Sequence, residues 1–448
     1  MSEVTTFDLV YPNSAGIDIG SRSIFVGFNT DKVVEYPSFT EGYRKCAKEL
    51  KEHGITHVAM ESTGVYWVGL YEILEAEGLT VVLLNPKEVK QVKGRKTDVQ
   101  DCKWIQKMFS AGLVRESYIP NSEIRTIRYL VRHREDLIKD ASMYINKMQK
   151  ELEMMNIKLS EVISQIHGVS GLKIIRAIIN GERDPQKFLE LCDTRIIKNK
   201  QEEVLKSLDG NYKDDHIFLL SQHLITWEFF QKQIEAIDEK IGQVLSDYAE
   251  KLVIDADVKN FEKPNSKKPK PIRHHAPKID NLHLMLNNIL HNDLTVVPGF
   301  SDYTLLRLIG ETGVDLEKFP TSKHFVSWCQ LAPGNNRSAS RKKRLTNPSK
   351  SKTGQIFRIV AQSLKKSKAS AIGAFIRRLS IKKSTSVAIK AGARKLAEIY
   401  YNLITKGTEY VERGVERYHE NLKSKEITHA IQILMRHNVN VSNLQAFA

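Results

Sequence analysis

The chain has 448 residues, with 68 Lys and Arg against 53 Asp and Glu, a formal net charge of +15 and a pI near 9.4. That length exceeds one ordinary core and predicts two or three domains. The positive excess points to a nucleic-acid partner ahead of an anionic membrane surface. No run is long and apolar enough to span a bilayer, no basic and apolar leader opens the sequence, and the four scattered cysteines have neither CxxC nor zinc spacing. A zinc finger, a secreted protein and a membrane-spanning one are thereby excluded, and a reduced cytoplasmic protein is predicted.

Taken in order, Ala15-Gly-Ile-Asp-Ile-Gly20 and Ser23-Ile-Phe-Val-Gly-Phe28 predict two strands joined by a tight polar turn. Val33 to Tyr36 predicts a third that completes an antiparallel meander. A helix over 40–53, a strand over 57–61, a helix over 65–77 and a strand over 79–85 then alternate, which predicts parallel strands with helices packed on them. A further helix is expected from Asp98 to Ala111.

Four acids stand out in this first part. Asp98 and Asp101 are three residues apart and share a helix face. Alone they would read as a helix start, where acids suit the macrodipole and Asp98 serves as a cap. Asp18, however, lies inside an apolar strand and needs a partner there. Glu61 ends its strand just before Ser62-Thr-Gly64, at the carboxyl end where open α/β sheets collect ligands. Four carboxylates from the first strand, the fourth strand and a later helix follow the order of the RNase H-like, RuvC-type fold. An all-oxygen set selects a hard cation, Mg²⁺ or Mn²⁺, and two such ions about 3.5–4 Å apart suit phosphodiester cleavage. Lys93, Arg95 and Lys96, just before the acid pair, suit a phosphate.

From Ile127 to Ile166 apolar residues alternate steps of four and three, with Arg134 the only charged member; Ile217 to Tyr248 nearly repeats the pattern. The two runs predict a long antiparallel coiled coil, or a dimer-forming arm. Lys263 to His275 is Pro-rich and basic and reads as a linker. Leu294 to Gly310, with Pro298-Gly299 at its turn and Ser301 where a second glycine is usual, predicts a helix-hairpin-helix-like turn. From Lys318 to Ala397 there is no Asp or Glu, which favours a polyanion-binding face. Within it, Leu331-Ala-Pro-Gly-Asn-Asn-Arg-Ser-Ala-Ser-Arg-Lys-Lys-Arg344 predicts a loop that grips phosphate with Arg337, Arg341, Lys342, Lys343 and Arg344. Serine in such a loop attacks only when its proton is removed or its target is strongly activated. The expected organisation is α/β plus α: a RuvC-like domain over 1–118, a coiled-coil arm over 119–260, a basic linker over 261–290 and a mainly helical domain over 291–448. The tail from Gly407 to Ala448 carries no motif.

Together, Ala-Gly-Ile-Asp18, Met-Glu61-Ser-Thr-Gly, Asn85-Pro, Lys96-Thr-Asp98-Val-Gln-Asp101 and Leu-Ala-Pro-Gly-Asn-Asn-Arg-Ser338-Ala resemble the DEDD transposases of bacterial insertion sequences. The group resembled is that of bridge-RNA-guided serine recombinases, and the resemblance covers nearly the whole chain. It implies that Asp18, Glu61, Asp98 and Asp101 bind Mg²⁺ or Mn²⁺ and that Ser338 attacks a DNA phosphate. It also implies an element-encoded guide RNA, a homodimer or homotetramer, and work at the bacterial nucleoid. Where the family often has Ser-Gly or Ser-Ala-Gly, this chain has Ser338-Ala-Ser340, which leaves Ser340 as a second candidate nucleophile. The rival readings are a RuvC-like hydrolytic nuclease, in which metal-bound water attacks, and a nucleic-acid-binding protein without activity.

Overall fold

Ser14–Ile19, Ser23–Gly27 and Val33–Pro37 form strands β1, β2 and β3, Thr40–Glu52 forms α1, His57–Glu61 forms β4, Trp67–Ala76 forms α2, Thr80–Leu84 forms β5 and Asp98–Ser110 forms α3. The computed structural model describes residues 9–29, 31–62, 64–85, 89, 97–255, 275–333, 337–338, 341–342, 351–407 and 414–437. The chain divides into two units, Met1–Ile119 and Pro120–Ala448.

The first unit is built on one mixed sheet in the order β3-β2-β1-β4-β5. The first three strands pair antiparallel, as the meander requires, whereas β4 joins β1 and β5 joins β4 in parallel. Strand side chains alternate between faces, and β1 shows why both faces are covered. Ala15, Ile17 and Ile19 enter a core with Leu50, Leu70 and Leu74 of α1 and α2. The opposite face of β1 carries Ser14, Gly16 and Asp18, and α3 lies on it. A Cβ on Gly16 would sit 2.3 Å from the Gln106 backbone nitrogen and 2.4 Å from the Cys102 carbonyl oxygen. Only glycine lets strand and helix backbones touch there. The same helix passes Gly27 of β2, where a Cβ would meet the Cys102 carbonyl at 3.1 Å.

Among its described residues the second unit is helical apart from one short hairpin. Its helices are α4 (Ser122–Met154), α5 (Leu159–Val162), α6 (Val169–Ile179), α7 (Pro185–Glu190), α8 (Thr194–Ser207), α9 (Asp214–Asp255), α10 (Leu282–Leu290), α11 (Asp302–Thr312), α12 (Ser322–Trp328), α13 (Lys352–Lys366), α14 (Ala371–Lys382), α15 (Thr385–Lys406) and α16 (Gly414–Arg436). The long helices α4 and α9 run antiparallel: Glu151 near the end of α4 accepts from His216 near the start of α9 at 2.8 Å, and Glu123 at the start of α4 faces Lys251 near the end of α9 at 3.9 Å. Arg134, the charged residue in the first apolar run, finds its partner in Asp238, and both side chains are 1% exposed. Its Nη2 donates to Asp238 at 3.2 Å, its Nη1 to the His275 carbonyl at 3.0 Å, and its guanidinium lies over the Tyr303 ring. Lys278 completes the arrangement by donating its backbone N–H to Asp238 at 2.9 Å. Removing one partner from such a buried pair costs about 3–5 kcal/mol, because the other charge is stranded. Helix α11 is held to α4 by Arg132, which donates to both Glu311 oxygens at 2.8 and 2.7 Å, and by Arg128, which donates to the Gly310 and Glu311 carbonyls.

Three expectations change. The apolar period continues to Ile166, but α4 stops at Met154: Asn156 takes a left-handed φ of 56°, and the chain folds back through α5. Asn tolerates that conformation and ends the helix, while Met155, Leu159, Val162 and Ile166 stay buried around α6 rather than along one seam. The 282–290 end of the expected linker is helix α10, because Leu282, Leu286, Ile289 and Leu290 fall on one buried face; residues 261–274 lie outside the described residues. At the expected hairpin, Gly299 holds a φ of 88°, and Ser301 caps α11 by accepting from the Thr304 N–H at 3.2 Å, which accounts for serine in the place of a glycine. Among the described residues, no helix is long and apolar enough to cross a membrane.

Gly16→Val tests the close approach of α3 to β1. The branched side chain has backbone in its way rather than a movable side chain, so the variant is expected to lose at least about 1–3 kcal/mol in chemical denaturation. Unchanged stability would show that α3 can stand off the sheet.

Candidate functional site

The face of β1 that α3 covers also sets where the acids fall. Along this face the strand runs Ser14, Gly16, Asp18 while the helix runs the other way. The Gln106 side chain reaches Ser14 O at 3.5 Å, Cys102 and Gln106 lie on Gly16, and the first turn of α3 arrives at Asp18. Steps of four along a helix match steps of two along a strand closely enough for this pairing. In β4, Ala59 packs beneath α3 with Ile105 and Phe109, so Glu61, two residues on, shares that face. The parallel register pairs Ile17 with Met60, and one step further brings Asp18 and Glu61 side by side. Capping of α3 falls to Thr97, whose hydroxyl accepts from the Gln100 N–H at 3.3 Å, not to Asp98.

The other three acids therefore act on Asp18. Asp18 is half-buried and its carboxyl is pushed up to about 6, first by burial and then by the carboxylates of Asp101, Asp98 and Glu61, with the Ile19 N–H opposing. Glu61 and Asp101 are half-buried and Asp98 is exposed. A clustered all-oxygen donor set whose members repel suits a hard divalent cation by its chemistry. The spacing is wider than a closed ligand cage: among the described residues, no three His, Cys, Asp or Glu side chains stand close enough to hold a metal ion.

Ser338 lies in the second unit. Arg337–Ser338 (β6) pairs antiparallel with Arg341–Lys342 (β7), Ser338 opposite Arg341. Lys93, Arg95, Lys96, Ser340, Lys343 and Arg344 lie outside the described residues.

Several structurally decisive residues escape a reading by pattern. Gly16 carries a signal, a glycine two residues before a strand Asp, whose meaning appears only once α3 is seen against it. Asp238 sits next to Ile237 in the second apolar run, and it is Asp238 that is fully buried, opposite Arg134, while Ile237 is half-buried. Arg358 and Lys390, which hold the base of the serine-bearing segment, look like ordinary members of a basic stretch.

Two family models match the chain, in order. One, a transposase model of the DEDD type for IS110 elements, matches residues 15–157, and this span contains all four acids. The other, described as the transposase IS116/IS110/IS902 family, matches residues 291–370 and contains Ser338. No curated protein matches the chain.

The carboxylate cluster makes stability depend on pH in a stated direction. The Asp18 carboxyl is raised to about 6 in the folded chain, against about 3.9 for an unfolded Asp. The folded state thus binds more protons between these values. The contribution is fully present below about pH 4 and is lost as pH rises through about 6. In chelator-containing buffer, Asp18→Asn is expected to flatten the stability profile over this window and to be the more stable protein at pH 7. Parallel profiles for the two proteins would contradict the raised Asp18 carboxyl.

Proposed function

The chain belongs to the IS110-type insertion-sequence transposases, and on that premise we propose a DNA recombinase that excises and inserts its element through a serine nucleophile and a carboxylate-held metal. The observation that carries the reading is the gathering of Asp18, Glu61, Asp98 and Asp101, with Asp18 pushed up first by burial and then by the other three. We read the sheet order as that of an RNase H-like domain. A divalent ion, Mg²⁺ or Mn²⁺, would be held by these four residues and would supply neutralising charge for the phosphate and the departing oxygen.

In the proposed reaction the Ser338 hydroxyl oxygen attacks phosphorus in a DNA phosphodiester. An Oγ–P bond forms, one bridging P–O bond of the DNA breaks, the serine proton is released and the freed DNA oxygen takes up a proton. The phosphodiester energy is kept in a phosphoserine link, so a second DNA hydroxyl can reverse the step on a new strand without ATP. A pure binder would have little use for clustered carboxylates facing a polyanion, which argues against the inactive alternative.

DNA is the substrate of the family. Beyond it we propose an element-encoded guide RNA that pairs with donor and target DNA, so that the protein reads little sequence itself. The net charge of +15 and the acid-free stretch from Lys318 to Ala397 support phosphate contacts, which we assign to Lys93, Arg95, Lys96, Arg337, Arg341, Lys342, Lys343 and Arg344. The long antiparallel pair α4 and α9 would serve as a coiled-coil arm joining two or four copies around DNA at the bacterial nucleoid in the cytoplasm.

Labelled element-end DNA, incubated with protein, cognate RNA and Mg²⁺ and run on a denaturing gel, tests the reading. Wild type is expected to give a protein-linked band, Ser338→Ala none although it still binds DNA and RNA, and Asp18→Asn a loss of at least about 10²-fold. Free cleaved DNA from both wild type and Ser338→Ala would instead establish a hydrolytic nuclease.

A further inference from the structure

The residues on either side of the stretch that carries Ser338 meet at one place. After α12, Gln330 turns with a φ of 56° and Leu331 is buried. On the return side, Ser351 donates its backbone N–H to the Gln330 side chain at 3.2 Å, and a Cβ on Gly354 would lie 2.1 Å from the Cys329 carbonyl oxygen. The first turn of α13 therefore rests on the residues that precede the serine segment, closing its neck.

Two cations from different helices meet this neck. Arg358 of α13 donates from Nη2 to the Gln330 carbonyl at 3.3 Å, and Lys390 of α15 donates from Nζ to the Ala332 carbonyl at 3.0 Å. Both are half-buried. Burial, and next the Arg358 charge, hold Lys390 below the usual lysine range. No acid offsets them from nearby sequence, because none occurs between Lys318 and Ala397. None of the ion pairs among the described residues includes either one. Each keeps donors beyond the one given to a carbonyl, since an ammonium has three and a guanidinium five. Two half-buried positive charges side by side, braced by neutral carbonyls, form a site that an anion stabilises.

We propose that Arg358 and Lys390 are a phosphate-binding site at the neck of the serine-bearing segment and take one phosphodiester of the DNA strand that is cut. The choice of strand rests on Ser338 as nucleophile; the phosphate site itself does not. Its role is to bind the backbone beside the point of attack, with its carbonyl contacts keeping the segment in place as the strand enters.

The test uses the full chain and two probes, a labelled duplex of the element end and a single-stranded RNA of equal length. In the Arg358→Gln/Lys390→Gln double variant, the slope of log affinity against log salt for the duplex is expected to shrink by about 1. The charge-keeping Arg358→Lys/Lys390→Arg variant is expected to retain the wild-type slope. A purely structural clamp would impair covalent DNA capture yet leave the salt slope untouched, and that result overturns the proposal. A slope that falls for RNA and not for DNA overturns it as well. Should the double variant fail to fold, amine acylation of wild type read by mass spectrometry replaces it: the duplex is expected to shield Lys390, and unchanged labelling refutes the site. Failure of the serine reading would show separately, as covalent product from Ser338→Ala with the salt-slope result standing.

Discussion

The contact on which the carboxylate site depends is the one between α3 and the bare backbone of Gly16. Helices usually stand off a sheet by a layer of side chains. Here the Cys102 carbonyl oxygen and Gln106 nitrogen come within 2.4 Å of where a Cβ would be, far inside van der Waals contact, so the helix is lowered onto β1. This fixes the height of α3, and the antiparallel run of Gln106 and Cys102 past Ser14 and Gly16 fixes its register. Asp101 and Asp98 then arrive at Asp18. Burial of Asp18, and next the charge of the other three acids, is the cost of that arrangement, and it surfaces as the raised Asp18 carboxyl. An acid cluster that weakens the bare protein suits an ion-binding role better than a structural one.

The helical unit solves a different problem, how to hold a long helix pair in one alignment. Apolar seams such as that of α4 and α9 tolerate sliding, because each turn resembles the next. The Arg134–Asp238 pair does not, since a shift by one turn would leave two charges buried without partners. Its further bonds to the His275 carbonyl and the Lys278 N–H tie the chain that follows α9 to the same point. Arg128 and Arg132 then carry the constraint into α11 through Glu311. The elements leading to the serine segment are thus referred back to one alignment of the long helices.

How far the sequence reveals this depends on the range of the interaction. Strand alternation and helix periods are local, and β1 to β5 with α1 to α3 emerge within a few residues of expectation. The acids were visible because carboxylates in Gly-Ile-Asp18-Ile-Gly and at the end of His57–Glu61 contradict their apolar surroundings. The fold-back at Asn156 was not visible, because Met155, Leu159 and Val162 keep the apolar period while serving a different packing. Asp238 was hidden for a related reason: a lone acid in a charged helix gains meaning only from Arg134, 104 residues away. Arg358 and Lys390 likewise stand out only when both are found on carbonyls two residues apart, Gln330 and Ala332.

The two sets of residues divide the chemistry between them in the proposed reaction. The carboxylates hold compensating charge for a phosphate, and the serine keeps the phosphodiester bond until another strand reclaims it. Mapping the attachment point is the most direct measurement of this account. The protein-linked DNA product is digested with protease and nuclease, and the peptide bearing the residual nucleotide is sequenced by mass spectrometry. The account predicts the phosphate on Ser338. A link at Ser340 or elsewhere, or DNA cut with no peptide attached, would contradict it.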